Sequence, residues 1–309
     1  YDENSDTKLI EVEKMENFKS VGDLRKRDFK YDGGFKIEQI TSTSGQKLSY
    51  FINKTMLRID LAKPLLPGQS ISFQIKWWYN INDRMQVGGR SGYEYFETDQ
   101  NYLYTIAQFF PRMCVYNDVT GWQNKQFLGR GEFTLPFGDY EVSLTVPADH
   151  IVAATGECQN YASILTPEQR KRYEQAKKSN SPVLIVTQAE AEAAEKNKST
   201  QTKTWVYKAQ NVRDFAFATS RKFIWDAQNQ TVGSKNVLCM SYYPKEGNPL
   251  WERYSTKLVA HTIKTYSKYT IDYPYPVAIS VHSKWIGMEY PMICFNGGRP
   301  EADGTFSEG

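Results

Sequence analysis

Glu289 is the side chain whose surroundings in this sequence most suggest chemistry. It stands in Ser283-Lys284-Trp285-Ile286-Gly287-Met288-Glu289-Tyr290-Pro291-Met292. A glycine within a strand leaves bare backbone that another chain can approach. A carboxylate beside such an opening can accept short, charge-assisted hydrogen bonds from a cation. In isolation the same carboxylate also reads as an ordinary strand-end residue. Gln108, in Ala107-Gln108-Phe109-Phe110-Pro111-Arg112, reads by itself as a structural loop residue.

Metal chemistry has no comparable foothold. The three histidines are His150, His261 and His282, and no two stand four apart, which excludes an HExxH zinc site within these residues. Cys114, Cys158, Cys239 and Cys294 are scattered without a CxxC pair. They read as buried or half-buried thiols, with one long-range disulfide left open. A net charge of +3 with no long basic cluster implies neither nucleic-acid nor membrane-surface binding. No run of 18 apolar residues provides a transmembrane helix.

The elements that must position these residues are mostly strands. Ile71, Phe73, Ile75, Trp77 and Tyr79 alternate with polar residues, as do Tyr140, Val142, Leu144 and Val146. This period of two predicts strands with one buried and one wet face. Shorter strands are expected at 35–40, 47–52, 56–61, 151–154, 204–209, 215–225 and 237–243. Turns between them predict an antiparallel β-sandwich or saddle.

Residues 161–203 read as a charged helical insertion. Thr166-Pro167-Glu168-Gln169 and Thr187-Gln188-Ala189-Glu190 are capping boxes, the first with proline at the opening helical position. Such an insertion is expected to be a surface elaboration. From Pro249 to Tyr269 the period changes, and Leu250, Trp251, Tyr254, Leu258, Val259, Ile263, Tyr266 and Tyr269 fall on one broad helical arc. Tyr273-Pro274-Tyr275-Pro276 ends that helix, and residues 277–281 form an apolar strand leading into the Gly287-Met288-Glu289 segment. The change from sheet to helix and strand places a domain boundary between 232 and 233.

Taken in order, these segments resemble the aminopeptidase-N family of zinc peptidases, most closely its bacterial members. Ala107 to Arg112 resembles the β-domain loop that reaches into that family's active site. Arg213-Asp214-Phe215-Ala216-Phe217-Ala218 resembles its last β-domain strand. The long helix, the Tyr-Pro-Tyr-Pro break, the apolar strand and Gly287-Met288-Glu289 resemble the opening of its catalytic domain. Where the family motif has its first glycine and its asparagine, this chain has Ile286 and Tyr290.

The resemblance implies a mainly β, α+β chain. Residues 1–232 would form an N-terminal β domain, and residues 233–309 the beginning of a thermolysin-like peptidase domain. It implies peptide substrates held by their free amino end, with Glu289 pairing the ammonium and Gly287, Met288 and Gln108 beside it. An exopeptidase must separate a chain end from a chain middle, and an internal segment would leave that carboxylate buried and unpaired. Hydrolysis needs a metal-activated water and a base. The resemblance places the zinc ligands after Gly309, so these residues by themselves are expected to ligate no zinc and to be inactive. It also favours a periplasmic, envelope-associated or secreted location. A non-catalytic peptide-binding or interaction protein on the same fold is the alternative.

Overall fold

The computed structural model describes residues 31–126, 135–284, 286–301 and 303–305. Residues 1–30, whose sequence is polar and charged with little periodicity, and Trp285 of the Glu289 segment lie outside them. Two compact units divide the chain: Tyr1–Asn82 with Phe110–Pro136, and Asp83–Phe109 with Phe137–Gly309.

The first unit opens with β1 (Lys36–Ser42), β2 (Ser49–Asn53), β3 (Met56–Asp60) and β4 (Phe73–Trp78). β1 pairs antiparallel with β4, and β2 with β3. The alternation expected from Ile71 onward is present but shallower: Phe73, Ile75 and Trp77 are half-buried, Ile71 is exposed, and the strand begins at Phe73. A two-stranded ribbon offers little against which to bury a face.

The second unit begins with a single helical turn, α1 (Arg84–Val87), capped by Asp83, followed by β5 (Gly92–Phe96) and β6 (Asn101–Ile106). After β7 (Tyr116–Asn117) and β8 (Gly121–Trp122) of the first unit come β9 (Gly138–Pro147), β10 (Ile151–Ala154) and β11 (Glu157–Cys158). Then follow α2 (Tyr161–Ile164), α3 (Pro167–Ala176), β12 (Val183–Val186), α4 (Gln188–Asn197), β13 (Thr202–Val212) and β14 (Phe217–Ser220). The unit ends with β15 (Ile224–Val232), β16 (Lys235–Tyr243), α5 (Leu250–Tyr269), β17 (Val277–His282), β18 (Met288–Tyr290) and β19 (Ile293–Asn296).

These strands make a four-stranded sheet in the order β10-β14-β6-β5 and a three-stranded sheet in the order β11-β13-β9. A six-stranded sheet runs β12-β15-β16-β17-β19-β18. The fold is therefore mainly β with several antiparallel sheets, as the alternation predicts. The six-stranded sheet is mixed. β16, β17 and β19 run parallel, with α5 as the crossover between β16 and β17. β17 is buried along its whole length, as a parallel strand covered on both faces should be. Position 232/233 is the turn of the β15–β16 hairpin, inside this sheet.

Both capping boxes form: Thr166 and Thr187 accept from the backbone of Gln169 and Glu190, whose side chains reach back. The 161–203 segment is more than a surface elaboration, however. β12 is the edge strand beside β15, and Ile185, Val186, Ala191 and the Glu195 side chain are buried. The α5 arc also splits. Trp251, Thr256 and Ala260 are buried, and Val259 and Ile263 pack on Val237, Cys239 and Ala278. Tyr254, Leu258, Tyr266 and Tyr269 are exposed. The stretch read as one strand over 215–225 is two, β14 and β15, separated at Arg221-Lys222-Phe223. Among the described residues no helix is long and apolar enough to cross a membrane.

Candidate functional site

β18 has three residues and, among the described residues, pairs as a strand with β19 alone, which makes it the edge strand of the six-stranded sheet. In the antiparallel register Met288 faces Phe295, Glu289 faces Cys294 and Tyr290 faces Ile293. Directly opposed residues share a face of the sheet. Glu289 therefore projects from the face that carries Cys294, Ser280 and Ala278, the face on which α5 packs. Its side chain is exposed and forms no ion pair among the described residues. Met288 points the other way and is 1% exposed, so it is a packing residue whose backbone alone reaches the edge.

Gly287 is exposed, and a Cβ built on it meets nothing within 4 Å. The packing of the described residues therefore does not require a glycine there. The turn from β18 to β19 places Pro291 before Met292, whose φ is 68°. This is the left-handed position of a type II turn, usually filled by glycine, and the methionine side chain is buried there. Gln108 follows β6, is exposed and also adopts a left-handed backbone, with φ 53°. It belongs to the end of the four-stranded sheet, whereas Glu289 lies at the edge of the six-stranded one, and no hydrogen bond joins them.

Beside the β18–β19 hairpin lies an open apolar groove of about 800 Å³. Leu250, Tyr254 and Leu258 of α5 line one wall, and Tyr290, Cys294 and Gly298 line the other. Tyr254 and Leu258 of the exposed half of the α5 arc thus face a groove, whereas Tyr266 and Tyr269 do not line it. Burial, and secondarily the nearby Glu289 carboxylate, push the Cys294 thiol pKa up.

His282, at the end of β17, is fully buried and packs edge-on against Trp251 at 5.0 Å. Burial, then the charges of Arg299 and Arg84, depress its pKa to about 3, so it is a neutral packing residue. Trp251 in turn donates through Nε1 to the Gly298 carbonyl at 2.6 Å. His261 is exposed on α5, and His150 is buried against Thr219. Among the described residues no group of His, Cys, Asp or Glu could hold a metal ion. The described residues do not fit a zinc centre.

Three side chains linked to the segments that flank the β18–β19 hairpin escaped the sequence reading. Glu94 is buried on β5, where it forms a bidentate pair with Arg299 and stands 3.9 Å from Arg84. Its signal in the sequence is phase: Glu94 alternates with the exposed Tyr95 and shares the inward phase of Phe96. A charge on the apolar phase of a strand marks a buried pair.

No family profile matches this sequence, and no curated protein sequence matches it. Solved structures do resemble it in fold. Against an M1 zinc metallopeptidase from Deinococcus radiodurans the TM-score is 0.50 at 12% identity, covering 86% of this chain and 50% of that one. A point mutant of that protein gives 0.51 at 12% identity and the same coverage. The mutant bound to a Tyr-Ser-Ala substrate gives 0.50 at 12% identity, covering 84% and 50%. At this identity the likeness is one of fold, and the chain spans about half the length of those structures.

Proposed function

We propose that these residues are the part of a zinc aminopeptidase that recognises the free amino end of a peptide. In this reading Glu289 pairs the substrate ammonium. Residues 1–232 supply the β domain, and residues 233–309 open the peptidase domain, joined to it through the β15–β16 hairpin. One observation carries the proposal: an exposed carboxylate with no ion pair among the described residues, on an edge strand, next to a glycine whose Cβ would meet none of them. A peptide can add to such an edge by main-chain hydrogen bonds, while the carboxylate at its end fixes the register. That register decides which peptide bond is presented for cleavage, a positioning contribution. The likeness in fold to zinc metallopeptidases supports the reading. In this reading zinc, its activated water and the base come from other parts of a longer polypeptide. Those parts would cover the apolar groove beside α5.

The test uses the full-length polypeptide loaded with zinc. Hydrolysis of a short peptide is expected to require a free amine, so that the N-acetylated peptide is not cleaved. Glu289→Ala should lower kcat/KM on the free peptide by roughly 100-fold or more, the loss of a charge-assisted contact in a closed site, with zinc content unchanged. Equal cleavage of free and acetylated peptides, or an unaltered kcat/KM in Glu289→Ala, would sink the proposal. Binding without hydrolysis by the zinc-loaded protein would favour the non-catalytic alternative.

A further inference from the structure

We infer that Glu94 is a positioning residue for Glu289, acting through two arginines that hold opposite flanks of the β18–β19 hairpin. Glu94 is 5% exposed on β5. Its Oε1 accepts from Arg299 Nη1 at 2.9 Å and its Oε2 from Arg299 Nη2 at 3.2 Å. Arg84 Nη2 lies 3.9 Å from the same Oε2, and Arg84 Nη1 donates to the Lys284 carbonyl at 2.5 Å. Lys284 is in the loop that enters β18. Arg299 lies three residues beyond Asn296, the end of β19. A single buried carboxylate thus ties down the chain just before and just after the hairpin that displays Glu289.

The hairpin needs such a tie. β18 has only three residues and, among the described residues, one strand neighbour, so its ladder runs along one side. Its turn holds Met292 at φ 68°, a conformation that persists only where the surroundings over-determine it. The clamp is rigid for physical reasons. The Arg299–Glu94 contact is a planar fork, which fixes orientation as well as distance. The Arg299 guanidinium also lies over the Phe96 ring, 5.3 Å from its centre, and Lys222 Nζ is 4.5 Å from the same centre. The Arg84 side chain is 3% exposed. Without the carboxylate, the buried Arg84 and the half-buried Arg299 would lose the counter-charge they share, and the two arginine ties to the flanks would loosen together, leaving the Trp251–Gly298 hydrogen bond on the later flank.

The functional part of this inference rests on the amine-binding reading of Glu289; the clamp does not. The experiment therefore reads both in the full-length, zinc-loaded protein. Glu94→Gln should raise KM for a free-amine peptide about tenfold or more, with a smaller change in kcat, as expected for lost binding common to ground and transition states. In a Glu289→Ala background it should add no further KM effect, because nothing remains to be positioned. Independently of activity, Glu94→Gln should speed alkylation of Cys294, which shares its face with Glu289. Arg299→Lys keeps the charge but loses the fork, and should give intermediate values of both readouts. It also decides the matter if Glu94→Gln does not fold. Unchanged KM and unchanged Cys294 alkylation in the folded variants would overturn the inference. Faster Cys294 alkylation together with a Glu289→Ala enzyme of normal KM would leave the clamp standing and remove the amine-binding reading beneath it. A KM effect of equal size with and without Glu289 would also overturn it, since the role would then be merely structural.

Discussion

Glu289 on β18 stands directly across the ladder from Cys294 on β19, and the carboxylate raises the cost of ionising the thiol. Burial is the larger cause, and Glu289 is the one that a mutation can remove cleanly. Glu289→Gln should therefore favour the Cys294 thiolate, which is the form that reacts. Alkylation of Cys294 by iodoacetamide at pH 8, followed by peptide mass spectrometry, should run several-fold faster in the variant. Cys239 is buried and packed beneath α5, so its rate should not change. Equal Cys294 rates in the two proteins would mean that the side chains diverge from their shared face.

Gly287 separates the demands of folding from those of binding. A methyl group there meets none of the described residues, so Gly287→Ala should leave stability within about 0.5 kcal/mol, as for other surface changes. The same methyl group would stand where a substrate backbone is proposed to lie. KM for a short free-amine peptide should rise several-fold in the full-length enzyme, with the urea midpoint unchanged. An unaffected KM would show that the substrate does not approach this edge.

Much of this architecture is legible in the residues. Period-two runs give β4 and β9, two capping boxes give α3 and α4, and the change of period marks α5. What is not legible is how surfaces are shared. The α5 arc reads as one apolar face, yet Trp251 and Ala260 are buried while Tyr254 and Leu258 line a groove. Periodicity reports that a face is apolar, and only packing tells which body covers it. The 161–203 segment looks like solvated decoration because Glu and Lys dominate it, and one of those charges, Glu195, is only 4% exposed. Glu94 was missed for a related reason. Its partners Arg84 and Arg299 are 10 residues before and 205 residues after it, so no local pattern brings the three together.

Lys222 provides a direct test of how such buried charges hold the second unit. It is fully buried, between β14 and β15, and pairs with Asp99 from the β5–β6 turn, with Glu195 at 2.8 Å and with Glu246 at 3.1 Å. Lys245 joins the cluster through Glu195 at 2.5 Å. Burial lowers the Lys222 pKa, but the hydrogen bonds and charges of its three carboxylates outweigh it and leave the value raised. The cluster fastens α4 to the turn preceding α5. Removing the central cation would strand carboxylates away from water. Lys222→Met should cost about 3–5 kcal/mol in guanidinium unfolding, whereas Lys177→Met, which breaks an exposed pair with Glu174, should cost under about 1 kcal/mol. Similar costs for the two variants would show that water reaches the Lys222 cluster.

Asp226 should make the folded protein prefer acid locally, against the trend set by its histidines. Its carboxyl is 2% exposed on β15 and accepts from the Tyr243 hydroxyl at 2.6 Å. Burial raises its pKa to about 6, against about 3.9 for an unfolded aspartate. The folded state therefore binds the proton more tightly, so this group destabilises as pH rises from about 4 to 6, by about 3 kcal/mol in full. His150 and His282, with pKa values depressed to about 4 and about 3, act oppositely, and their contribution is lost as pH falls below about 6.5. Asp226→Asn keeps an acceptor for Tyr243 and removes only the titration. Relative to the parent chain, the variant should be more stable at pH 7.5, and that advantage should shrink towards pH 4.5. Guanidinium midpoints at the two pH values measure the difference with the histidine contributions cancelled. Parallel pH profiles for the two proteins would mean that Asp226 ionises as though it were in water.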